Sequence, residues 1–149
     1  MWGKMKIYLD SSLVASLYTL DSDTAAATAA IQLASGELIV TPLCEIEVIN
    51  ALGLRAFRKE VPLDRTRISI DTFERDLRSG PFERKPLPAG IFPRAGQLSK
   101  MMTPQTGIRA ADVLHIAAAL ELGTDAFYTF DRRQRTLADA TGLTLNPLP

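Results

Sequence analysis

The chain is poor in the residues that most redox and transition-metal sites require. A single cysteine, Cys44, excludes an intramolecular disulfide and a multi-cysteine metal site. A single histidine, His115, excludes a multi-histidine metal centre. Neither a G-x-x-x-x-G-K-[ST] nor a G-x-G-x-x-G phosphate loop occurs. No apolar stretch is long enough to span a membrane. The opening residues, MWGKMKIYLD, hold no signal-peptide core, because Asp10 interrupts the apolar run; a cytoplasmic location is the expectation. There is no internal repeat, no low-complexity tract and no linker long enough to divide the chain, so residues 1–149 are expected to form a single domain with its own core.

What is present is an alternation of short apolar runs with helical patterns. Strands are predicted at Lys6–Leu9, Leu38–Val40, Ala126–Thr129 and Leu143–Leu145. Helices are predicted at Ser11–Tyr18, Thr24–Ala34, from Pro42 onward, at Leu63–Ser79, Phe92–Met102, Ala110–Leu122 and Arg132–Thr141. In the helix that starts at Pro42, the expected apolar stripe is Ile46, Ile49, Gly53 and Phe57. Residues 80–96 hold four Pro and three Gly and read as mostly loop, with room for a short strand; Thr103-Pro104 reads as a helix breaker. This order predicts an α/β fold, with a mainly parallel sheet covered by helices on both sides.

The charges are unevenly spread. Residues 1–54 carry two Lys against six acids, residues 55–109 carry nine Arg and three Lys against six acids, and residues 110–149 carry three Arg against five acids. Two acidic ends around a basic middle fit an acidic site beside a positive surface, although charge asymmetry alone describes any solvated helical face.

Two apolar runs end on a carboxylate: KIYLDSS on Asp10 and FYTFDRRQ on Asp131. Ligands of an open parallel sheet bind beyond the carboxyl ends of its strands. Helices that follow those strands begin at the same edge. That brings in Asp112, in the first turn of the helix at Ala110, and Glu47, in the second turn of the helix at Pro42. Each acid alone has a plainer reading, Asp10 and Asp131 as helix caps and Asp112 as a complement to the helix dipole. Together they would raise one another's pKa values, and a hard cation such as Mg²⁺ relieves that conflict. Glu45 competes with Glu47, and periodicity does not choose between them. Glu47 shares its helix face with Asn50 and Leu54. His115 reads as a satisfied helix histidine and Cys44 as a packing residue.

These stretches resemble the PIN-domain family, and within it VapC-like toxins of type II toxin–antitoxin pairs. The resemblance rests on Tyr8–Val14, on TPLCEIEVINAL (Thr41–Leu52), and above all on RAADVLHIAAALELG (Arg109–Gly123) followed by FYTFDRRQRTLADATGL (Phe127–Leu143). It implies a three-layer α/β/α sandwich and a Mg²⁺- or Mn²⁺-dependent ribonuclease. Asp10, Glu47, Asp112 and Asp131 would hold the metal, with Ser11, Thr129, Asn50 and Arg109 in support. It also implies a homodimer silenced by a small cognate VapB-like antitoxin, with RNA as substrate and 5′-phosphate and 3′-hydroxyl products. Two other functions fit parts of the pattern. One is a PIN-like module that binds RNA or protein without cutting. The other is a receiver-like phosphoryl acceptor, against which stand Ser11-Ser12 after Asp10 and the lack of any lysine beyond Lys100.

Overall fold

In a computed structural model, described over residues 3–148, five strands form one sheet in the order β3-β2-β1-β4-β5. The strands are β1 (Met5–Leu9), β2 (Gly36–Val40), β3 (Phe82–Arg84), β4 (Ala126–Tyr128) and β5 (Thr144–Leu145), and every pairing is parallel. The helices are α1 (Ser11–Tyr18), α2 (Thr24–Leu33), α3 (Pro42–Phe57), α4 (Leu63–Ser79), α5 (Ile91–Thr106), α6 (Ala110–Glu121) and α7 (Arg132–Ala140). The fold is therefore the three-layer α/β/α sandwich expected from the sequence, and its sheet is wholly parallel.

Alternation along the central strand divides the core. Ile7 and Leu9 face one layer, with Leu13 and Val14 of α1, Cys44, Val48 and Leu52 of α3, and Phe73 of α4. Tyr8 faces the other, with Ile39, Phe127, and Ile116 and Ala117 of α6. Because β1 is buried on both faces it carries no polar alternation, and each large side chain so buried contributes about 1.5–3 kcal/mol.

Two local expectations are corrected, and one left open is decided. The buried stripe of α3 is Cys44, Val48 and Leu52, while Ile46 and Phe57 point to solvent. The predicted stripe has helical spacing too, but the face docked on α1 and β1 is the one that begins at Cys44. The loop-like segment after α4 does contain a strand, β3, which pairs with β2 from Leu38↔Phe82 to Val40↔Arg84. Thr103-Pro104 does not end α5, which continues to Thr106 with Pro104 inside it. The stop is Gly107, whose φ of 66° is the left-handed closure that glycine adopts without penalty.

Candidate active site

Asp10 and Asp131 are both helix caps and both face the carboxyl edge of the sheet. Asp10 follows β1, and its backbone N–H bonds Tyr128 O at the end of β4 (3.0 Å), which ties the two central strand ends together. Its side chain caps α1 by accepting the Ser12 N–H at 3.3 Å and also accepts the Ser12 hydroxyl. Only 3% of Asp10 is exposed. Asp131 accepts the Gln134 N–H at 2.9 Å, caps α7 and stays exposed.

Gln134 is a site residue that the sequence reading missed. Its amide is fully buried and its Nε2 donates to Asp10 Oδ1 at 3.2 Å and to Asp112 Oδ1 at 3.4 Å. Its Oε1 accepts the Thr129 hydroxyl at 2.7 Å. Thr129 Oγ1 also lies 3.4 Å from Asp10 Oδ2 and accepts the Asp131 N–H at 3.1 Å. Thr129 is thus placed beside the acids, as expected, and one amide links two of the carboxylates. Within RRQR on an exposed helix, glutamine looks like a surface residue; only the turn at Thr129–Asp131 aims it inward.

The structure separates Glu45 from Glu47. Glu47 Oε1 accepts the Ser11 hydroxyl at 3.0 Å and bonds His115 Nε2. Glu45 instead pairs with Arg84 at the end of β3 (2.6 Å). Ser11 therefore reaches the acids through Glu47. Asn50, three residues further along α3, is exposed. Arg109 occupies the N-cap position of α6 and is exposed, with no side-chain capping bond.

The carboxylates feel one another. Burial, then the negative charges of Asp10 and Asp131, push the Asp112 carboxyl up from 3.8 to about 6. Burial also pushes Glu47 up, but hydrogen bonding and charge from His115, together with the Ser11 hydroxyl, outweigh it and leave Glu47 below its ordinary value. The folded metal-free protein therefore holds the Asp112 proton more tightly than the unfolded chain does. The stability from this group is complete below pH 3.8 and is lost as pH rises through about 6. Thermal midpoints in EDTA from about pH 5 to about pH 7 are expected to fall more for the native chain than for Asp112→Asn, whose amide does not titrate. Parallel curves would remove the carboxylate crowding.

Among the described residues, no three acidic, histidine or cysteine side chains converge into a preformed metal cage. The donor set nonetheless suits a hard cation. It offers carboxylate oxygens at one sheet edge, and burial and the neighbouring acids raise the pKa of one of them, Asp112. Mg²⁺ needs only one or two carboxylates, with water and substrate phosphate completing its shell.

The basic middle of the chain divides. α4, with Arg65, Arg67, Arg75 and Arg78, passes over the far end of α1: Tyr18 donates to Asp76, and Tyr18, Thr19, Pro62 and Arg65 line one cavity. Eight residues of α1, about 12 Å, separate that end from Asp10. Arg84 and Lys85 at the end of β3, Arg109 before α6, and Arg132 and Arg133 opening α7 sit at the carboxylate edge.

A parallel α/β/α sandwich with acids gathered beyond its strand ends places its candidate site where open α/β sheets bind their ligands. The PIN domain family matches residues 7–140, and the chain belongs to that family. The structure is similar to that of VapC20 from Mycobacterium tuberculosis, a toxin that cleaves the sarcin–ricin loop. The two share 14% identity, with 95% of this chain and 99% of that one covered, at a TM-score of 0.65. It is also similar to VapBC2 from Rickettsia felis, solved on a DNA fragment from its promoter (15% identity, 97% and 100% covered, TM-score 0.65). A third similar structure is FitAcB from Neisseria gonorrhoeae (14% identity, 95% and 96% covered, TM-score 0.63). A search of curated proteins returned no match. Among the described residues no helix is long and apolar enough to cross a membrane.

Proposed function

We propose that the protein is a Mg²⁺- or Mn²⁺-dependent endoribonuclease, the toxin of a VapBC-type pair, held in check by a small antitoxin and acting as a homodimer. The observation that carries the nuclease reading is the arrangement around Gln134, which ties Asp10 to Asp112 beside Asp131 at the carboxyl edge. PIN domains are typically nucleases, generally with divalent metals, and the similarity to VapBC2 supports an antitoxin partner.

In this reading Asp10, Glu47, Asp112 and Asp131 are the metal ligands. When bound, the ion supplies charge stabilisation at the scissile phosphate and lowers the pKa of a water. The chain's own residues do the rest. Gln134 and Thr129 hold Asp10 and Asp112 in register, and Ser11 with His115 fixes Glu47. Asp112, whose carboxyl pKa is raised by burial and by the charges of Asp10 and Asp131, can accept a proton from water. Arg109, Arg132 and Arg133 offer exposed guanidinium groups to substrate phosphates at the same edge.

The test is incubation of the purified protein with total RNA and tRNA, in Mg²⁺ or Mn²⁺ and in EDTA, beside Asp10→Ala. Discrete fragments are expected only with metal and only from the native chain. If no cleavage occurs and mass spectrometry finds no copurified antitoxin, the chain is a PIN-like module that binds without cutting.

A further inference from the structure

His115 is fully buried between apolar neighbours of α6, among them Ile116 and Ala119. Its Nε2 meets Glu47 Oε1, and its Nδ1 lies 2.8 Å from the Tyr8 hydroxyl, which lies 2.9 Å from Thr41 Oγ1. Tyr8 and Thr41 are fully buried as well. The four residues come from β1, α6, the cap of α3 and the second turn of α3.

Nε2 donates to Glu47 in either charge state of the ring, and the directions beyond it are those of the neutral ring. A carboxylate only accepts, so Nε2 carries the proton toward Glu47. In the neutral ring Nδ1 is then the acceptor, and Tyr8 must donate to it. Tyr8 Oη in turn accepts from Thr41, the residue that caps the helix on which Glu47 rides. The chain runs from the start of α3 through the sheet and α6 back to α3.

A core built for stability alone has little use for this. A buried imidazole pays desolvation that a leucine of similar volume would not. What the imidazole adds is a fixed donor on one oxygen of Glu47. Ser11 donates to that same oxygen. Among the described residues no hydrogen bond falls on Oε2, so Oε2 is the oxygen left to face a cation.

We propose that His115, held by Tyr8 and Thr41, is a positioning residue that clamps Glu47 through Oε1 and presents Oε2 to the metal. The proposal rests on the reading of Glu47 as a ligand. Partners of this kind, outside the ligand set, typically change metal affinity by about 10–100-fold when removed.

The experiment is Mn²⁺ affinity of the full-length, metal-free protein, from electron paramagnetic resonance of free Mn²⁺ and from calorimetry. The variants are Glu47→Gln, Asp10→Asn, His115→Leu, His115→Gln, Tyr8→Phe and the double variant Glu47→Gln/His115→Leu. His115→Leu is expected to weaken Mn²⁺ by about 10–100-fold. His115→Gln, which keeps an N–H near Nε2, should recover most of that. In the Glu47→Gln background, His115→Leu should cost nothing further, because it acts only through Glu47. An equal loss in both backgrounds, or unchanged affinity in folded His115→Leu, overturns the proposal. If His115→Leu does not fold, Tyr8→Phe decides. It keeps the ring stacked on Phe127 and removes one hydroxyl; weaker Mn²⁺ binding is expected, and unchanged affinity in folded Tyr8→Phe is the overturning result. If Glu47→Gln and Asp10→Asn both bind Mn²⁺ as tightly as the native chain, the metal-site reading itself fails, and the proposal with it.

Discussion

Asp112→Asn is expected to lower metal-dependent RNA cleavage by more than about 100-fold, beyond what residues outside a ligand set usually cost, while raising the thermal midpoint in EDTA. The activity loss follows from removing a ligand oxygen and its charge. The stability gain follows from the field of Asp10 and Asp131, which together with burial lifts Asp112 to about 6. Asp112 is only half-buried, so solvent screening cuts the worth of that shift to about 1 kcal/mol. In a chain of this length that is about 2–4 °C. Asparagine keeps Oδ1 for the Gln134 amide and removes the charge. Asp10→Asn should be equally inactive and less stable. Asp10 accepts from the Ser12 N–H, the Ser12 hydroxyl and the Gln134 amide, and an asparagine NH₂ would oppose one of those donors. Melting curves and cleavage assays on both variants separate the cases. Full cleavage by folded Asp112→Asn would exclude it from the site. Unfolding of both variants would reduce Asp10 to a cap and Asp112 to a helix-dipole partner.

The contrast between the two aspartates shows what a sequence can disclose. Both strand-end acids are legible, because a parallel sheet sends its carboxyl ends to one edge and because Asp caps the helices that leave it. Capping and site-building are the same placement seen twice, so the plain reading of Asp10 and Asp131 was correct without excluding the other. Gln134 was not legible, since its inward aim depends on the Thr129–Asp131 turn rather than on its neighbours in sequence. The basic middle was legible as composition but not as position. Its α4 arginines lie at the far end of α1, and where α4 crosses is a tertiary matter. The stripe of α3 failed for a similar reason. Cys44, Val48, Leu52 and Ile46, Ile49, Gly53 are both helical series, and only packing on α1 chooses.

Glu45 and Glu47 turn that same ambiguity of α3 into an experiment. Two residues apart on a helix, they cannot share a face. Glu47→Gln is expected to lose more than about 100-fold in cleavage, and Glu45→Gln to stay within about threefold, the scale of a weak surface ion pair. Glu45 is committed to Arg84, whose side chain is half exposed, and such a pair contributes about 0–1 kcal/mol. Glu47 has a different neighbourhood. It gathers Ser11 from the first turn of α1 and His115 from α6, two elements that also carry the surroundings of Asp10 and Asp112. Its carboxyl is held below its ordinary value despite burial by the His115 and Ser11 contacts. Strand β3 makes the assignment possible, because it puts Arg84 beside Glu45 and leaves Glu47 to the acids. That strand hides in the Pro- and Gly-rich segment, which is why the two glutamates look equivalent in sequence. The reverse result, with Glu45→Gln dead and Glu47→Gln active, would mean that α3 turns by about half a revolution when substrate and metal bind. The Ser11 and His115 contacts would then belong to a resting state.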